Sequence, residues 1–238
     1  MTEKAPLYNE KDKKIRGEVL LDWKHIVLEM QNAREGKESS LTPQKDWDLV
    51  WVLSGPEITL SPDEQETEGG NQTRERFATG LALLREVTAL RLGKALEEVT
   101  GEDVQKYGPR LYYNGTKEHD LALRDWMNGT DFEGFKVPME SIELSDWPED
   151  IRHTGDQFAD FDKRFVPSAS GKLVVVTDLY HLPRTKRYFD KGFPVPLKQT
   201  ILYPSRPGIL RVNRALSEVK KIPQYEKAGL FVPKGKTE

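Results

Sequence analysis

The run Leu173-Val174-Val175-Val176 most constrains what this chain can become. Four apolar residues, three of them β-branched, follow one another without polar alternation, as in a strand covered on both faces of a parallel sheet. The run stops at Thr177-Asp178, and Tyr180, His181 and Arg184 crowd the following turn. Pro183 sits where a first helical turn tolerates proline, and Thr177 or Asp178 is a candidate cap. A helix there, running to about Phe189, sets His181 and Arg184 three residues apart on one face. Ligands of open α/β sheets lie just outside the carboxyl ends of strands, so an imidazole and a guanidinium at this position are candidate functional groups.

Other segments repeat the strand-then-turn pattern. Strands are expected at 48–53, ending in Ser54-Gly55, and at 110–113, ending in Asn114-Gly115. Two more are expected at 138–144 and 198–203. Between them lie helical patterns at 73–96, 118–127 and from Thr154, where Thr154-Gly155-Asp156-Gln157 fits a capping box. Alternation of this kind predicts an α/β fold: a Rossmann-like, doubly wound, mostly parallel sheet of about five strands with helices on both faces. Before it, Val19, Leu20, Trp23, Ile26, Val27 and Met30 recur at helical spacing. The reading divides the chain into an N-terminal arm and amphipathic helix (1–44), an α/β domain (45–205), and a C-terminal helix and tail packed on it (206–238). The acidic stretch 57–68 is expected to be a solvated insertion with little apolar surface to bury. No glycine-rich dinucleotide fingerprint follows the first strand.

Composition narrows the function classes. A net charge of −3 over 238 residues gives no long-range attraction for nucleic acid, and none is expected as a partner. The chain has no cysteine, which removes disulfides, thiolate metal sites and a cysteine nucleophile. No apolar run approaches the roughly 20 residues that span a bilayer, and the charged first residues do not form a secretory signal. The expectation is a cytoplasmic protein without a membrane partner. Asn-x-Thr triplets at Asn71, Asn114 and Asn128 are then turn and cap residues rather than glycan acceptors.

Taken together, the strand-end motifs resemble the YdcF/SanA/ElyC-like family, which includes vancomycin-exclusion proteins, over about residues 48–204. Val174 to Arg184 resembles that family's Val-Thr-x-x-Tyr-His-x-x-Arg signature, with Thr177, Tyr180, His181 and Arg184 in place. Ser54-Gly55 takes the position of the glycine-rich end of the first strand. Arg76 falls where the family has an arginine entering its first long helix. Asn114-Gly115 replaces a Ser-Gly pair, with Glu118 or Asp120 near the acidic position. Glu143 matches the acid of the third strand, and His153 to Gln157 is similar to Asn-Thr-x-Glu-Asn. The resemblance implies a charged strand-end pocket in a domain connected with envelope or murein metabolism, in a form without the membrane anchor.

Three readings of these residues follow. In the first, the chain is an enzyme or a ligand-binding domain for an anionic small molecule, phosphorylated or nucleotide-like. Arg76 and Arg184 converge on it above Ser54-Gly55, with Asn114, Gly115, Glu118, Thr154, Gln157, Thr177 and Tyr180 around the ligand. Arginines suit phosphate oxygens. His181 acts as general acid or base, oriented by Asp178 or Glu143. A nucleotide-type cofactor such as S-adenosylmethionine suits a pocket of this sort, although no independent motif names one. The second reading is a metal-dependent hydrolase using His119, His153 and His181, which lack the short spacing of a metal motif. The third is a non-catalytic scaffold that associates through its terminal helices and acidic stretch.

Overall fold

A computed structural model describes residues 10–55, 72–129, 136, 138–145, 151, 154–165, 171–191, 200–208 and 211–231. Its centre is a five-stranded sheet: β1 (Trp47–Leu53), β2 (Arg110–Asn114), β3 (Ile142–Leu144), β4 (Lys172–Thr177) and β5 (Thr200–Pro204). Every pairing is parallel, and the order is β3-β2-β1-β4-β5. The valine run is central, with Val174, Val175 and Val176 all at 0 % exposure.

Side chains alternate between two layers, as strand geometry requires. Val50, Val52, Val174 and Val176 face α2 (Gln72–Leu92), α3 (Gly101–Tyr107) and α4 (Lys117–Gly129) through Leu81, Leu84, Val104 and Leu123. Trp51, Leu53, Leu173 and Val175 face the other layer. That layer holds α5 (Thr154–Arg164), α6 (Leu182–Asp190), α7 (Val212–Lys227) and the first half of α1 (Glu10–Arg34). The fold is α/β and doubly wound. The acidic stretch 57–68 lies outside the described residues.

Element boundaries differ from expectation where local signals mislead. Helix α1 starts at Glu10, well before the apolar pattern. Asp12, buried in its first turn, is held by Lys227 of α7 at 2.8 Å. Of its expected apolar face, Val19, Trp23 and Ile26 are buried, whereas Leu20 and Val27 are exposed. Helix α2 ends at Leu92 rather than 96, because Gly93 adopts φ +66° and Lys94 N–H donates back to Ala89 O at 3.1 Å. That is the six-to-one bond of a Schellman cap. Helix α3 was not anticipated; Thr100 and Asp103 box its start. Helix α7 runs from Val212 to Lys227 with Pro223 inside it, although a proline removes one backbone donor from a helix interior. No described helix is long and apolar enough to cross a membrane.

Candidate functional site

The sheet order places a topological switch point between β1 and β4, whose chain connections depart in opposite directions. Two residues past β1 and one past β4, Gly55 and Asp178 mark the rim of that crevice. Arg76, from the first turn and a half of α2, crosses it. Its guanidinium donates to Leu53 O at 3.0 Å, to Ser54 O at 2.6 Å and to Asp178 Oδ2 at 2.7 Å. Both partners of the ion pair are about 1 % exposed. Ser205 also donates to Asp178 Oδ1 at 2.8 Å. Burial alone would raise the Asp178 carboxyl. The Arg76 charge, with hydrogen bonds from Arg76 and Ser205, outweighs burial and holds it below the ordinary carboxylate range.

Gly55 makes the close approach of α2 to the strand end feasible. Its N–H donates to Thr73 Oγ1 at 3.1 Å, and a Cβ there would lie 2.8 Å from that oxygen and 3.5 Å from Arg76 Cζ. Ser54, half-buried, has its Oγ 3.0 Å from Nδ1 of His119, in the first turn of α4. Thr116 caps that turn weakly, accepting from His119 N–H at 3.4 Å. The buried Tyr113 hydroxyl lies beside the Ser54 and Thr73 hydroxyls without an aligned hydrogen bond. Burial raises this phenol far above its usual range, so it stays protonated. Gly115 is the residue that fits beneath it: a Cβ would sit 2.4 Å from the Tyr113 oxygen.

On the other side of β4, His181 is 3 % exposed. Its Nδ1 lies 2.9 Å from Thr177 Oγ1 and its Nε2 3.4 Å from Thr154 Oγ1. Burial, then the Arg184, Arg76 and Lys221 charges, pushes its pKa well below the ordinary imidazole value, so it is neutral. Two threonines orient it, in place of the carboxylate expected from the sequence. Asp178 projects toward the opposite layer, by strand alternation. Glu143 is on β3, three strands away from β4 at about 4.8 Å per strand, and pairs with Arg110.

The convergence of Arg76 and Arg184 is corrected in the same way. Helices α2 and α6 pack on opposite faces of the sheet. Arg76 is held by Asp178, and Arg184 Nε lies 3.0 Å from Glu218 Oε2 of α7, with its guanidinium over Tyr225. The Arg184–Glu218 contact is close but misaligned for a hydrogen bond. Burial raises the Glu218 carboxyl, and the nearby Arg184, Lys221 and Arg214 charges only partly reverse this.

Asn114 is entirely engaged inside the protein. Its Oδ1 accepts from Trp51 Nε1 at 2.9 Å, and its Nδ2 donates to Gln157 O at 2.7 Å and Asp160 Oδ2 at 3.1 Å. At 0 % exposure it cannot accept a glycan. Gln157, 5 % exposed, has a buried Oε1 with no hydrogen-bond partner among the described residues. Tyr180 donates to Gln72 Oε1 at 2.8 Å. Glu118 belongs to the first turn of α4, and its side chain lies outside the described set, as does His153. Among the described residues no group of three His, Asp or Glu side chains could hold a metal ion.

His119 is the residue whose partner the sequence reading missed. It was weighed as a metal ligand and Ser54 as a backbone site; only the pairing of β1 with β2 brings the two together. Comparison with protein-family models, curated proteins and solved structures finds no match to this chain.

Proposed function

We propose that this chain is a small-molecule-binding domain that acts enzymatically on its ligand. The ligand is phosphorylated or nucleotide-like and lies over the carboxyl ends of β1, β2 and β4. The observation that carries this reading is the location of the polar cluster. Ser54, Thr73, Arg76, His119 and Asp178 gather at the switch point of a parallel sheet, where α/β folds hold their ligands. Perturbed, buried ionisable groups collect at functional sites more often than elsewhere. Helices α2 and α4 begin at this edge, and the positive ends of their dipoles favour an anionic group. The strand-end resemblance to the YdcF/SanA/ElyC-like family points to the same edge. With Arg76 and Arg184 both paired to carboxylates, the helix amino termini rather than two converging arginines supply the anion preference.

Thermal melting against nucleotides, sugar phosphates, S-adenosylmethionine and their uncharged counterparts tests the reading, with and without a chelator. A ligand at about 100 times its Kd adds about 2.7 kcal/mol, which for a chain of this size raises Tm by roughly 5–10 °C. Stabilisation by phosphorylated or nucleotide compounds alone, insensitive to chelator, is the expected result. Stabilisation by none of them overturns the ligand class, and stabilisation that the chelator abolishes favours the metal-dependent reading.

A further inference from the structure

We infer that Ser54 and His119 form a nucleophile–base pair for acyl transfer, with Ser54 Oγ attacking the carbonyl carbon of an ester. The inference rests on the strand-end crevice being the ligand site. Four features of the crevice combine to support it. The seryl oxygen lies 3.0 Å from an imidazole nitrogen, within the reach a general base needs. Ser54 follows a buried strand directly and is half-exposed, while His119 is 7 % exposed, so the pair is anchored on one side and reachable on the other. Its neighbours Gly55 and Gly115 keep the surroundings small, since a Cβ on either would press on Thr73 or Tyr113. Arg76 holds the Ser54 carbonyl at 2.6 Å, which fixes the backbone of the nucleophile, and Ser54 Oγ lies 3.2 Å from Gly55 O as well as beside His119.

With His119 protonated on Nε2, Nδ1 accepts from Ser54. As Oγ bonds to the ester carbon, its proton passes to Nδ1. The bond from carbon to the leaving alcohol then breaks, and the alcohol oxygen takes that proton. Water repeats the sequence: it gives a proton to His119, its oxygen bonds to the acyl carbon, and Ser54 leaves with the proton returned. An ester carbonyl suits this pair better than a phosphoryl centre. Attack at phosphorus needs cations to offset charge on the equatorial oxygens, and the guanidinium of Arg76 is held by Asp178. A phosphate carried elsewhere on the same ligand would face the helix amino termini.

The chain has no cysteine, so Ser54→Cys creates its only thiol and reports directly on His119. The experiment combines an alkyl fluorophosphonate, whose phosphorus bonds to an activated seryl oxygen with loss of fluoride, and a pH titration of Ser54→Cys with iodoacetamide. Mass spectrometry should place the phosphonate on Ser54, none should appear in Ser54→Ala, and His119→Gln should slow labelling by at least 100-fold. The Ser54→Cys thiol should titrate at least one unit below its ordinary value of about 8.5, and His119→Gln in that background should restore it. A thiol at or above 8.5, or a labelling rate that His119→Gln leaves unchanged, overturns the inference. Phosphonate on Ser54 in a protein that no nucleotide or sugar phosphate stabilises would remove the ligand class and keep the nucleophile. Nucleotide binding retained in Ser54→Ala, with wild type unlabelled, would do the reverse.

Discussion

At the scale of single residues, the polar groups behind the site are held by the fold and held tightly. His181 shows the consequence. In the unfolded chain its imidazole takes up a proton near pH ~6.5, whereas in the fold burial and three cations keep it neutral to well below that value. Between those two pKa values the unfolded state binds more protons, so stability rises with pH across the window and is fully present above about 6.5. Lowering the pH from about 6.5 to 5 should therefore cost up to about 1.4 kcal/mol per unit. Urea midpoints measured at half-unit steps should show this slope in wild type and a flatter one in His181→Gln. Equal slopes would mean that His181 is protonated within the fold. The Asp178 carboxylate acts in a different window: its depressed pKa contributes stability that is lost only as pH falls below about 4.

At the scale of elements, the decisive contact is α2 on the sheet. Gly80 turns its bare Cα toward the strands: a Cβ there would lie 2.6 Å from Val52 Cγ2 and 2.9 Å from Leu111 Cδ1. The helix can lie this close only without a side chain at that point. Gly80→Val should destabilise by about 1–3 kcal/mol through overpacking, despite valine's better helix propensity. Chemical denaturation would reveal a neutral or stabilising effect if α2 could shift outward. This contact was not legible in the sequence, where a glycine in a helical pattern reads as a mild defect. Four strands were legible because each carries an apolar run ended by turn residues, β4 most clearly of all. The weaker signal is β3, where Ile142 and Leu144 only alternate around Glu143, and it keeps three residues of the expected 138–144. The site was legible only as a location. Ser54, Asp178 and His181 fall just past strand ends and Arg76 at the start of the first long helix, as read. Their partnerships depend on strand order and on which layer each helix joins, and no local pattern specifies either. Glu143 reads as a carboxylate that could orient His181, yet two strands, β2 and β1, lie between β3 and β4. Arg76 and Arg184 both open helices after strands, yet the helices cover opposite faces.

For the whole molecule, the question is what α1 does for a domain that follows it in the chain. Ile15, Val19 and Trp23 fill the same layer as Phe158, Tyr188 and Phe189, so the helix completes a core rather than trailing from it. Trp23 is the tightest link. It is 7 % exposed, and its indole N–H donates at 3.0 Å to Leu179 O, in the turn that carries Asp178 and His181. Asp22, one residue earlier, accepts from Arg187 of α6 at 3.0 Å. One end of the candidate site is thus braced by the first helix. Truncating a buried tryptophan costs about 3–5 kcal/mol, a large share of the roughly 5–15 kcal/mol that holds a domain together. Trp23→Ala should therefore lower the urea midpoint sharply. Leu21→Ala, at a 65 % exposed position on the same helix, should stay within about 0.5 kcal/mol of wild type. The subtler variant is Trp23→Phe, which keeps most of the packing and leaves the Leu179 carbonyl without its donor. It should cost about 1–3 kcal/mol, and hydrogen exchange should quicken at the amides of His181 and Thr185, which close the turn on Asp178 O and His181 O. Unchanged exchange there, with only a global loss of stability, would mean that α1 supports the core without bracing the site.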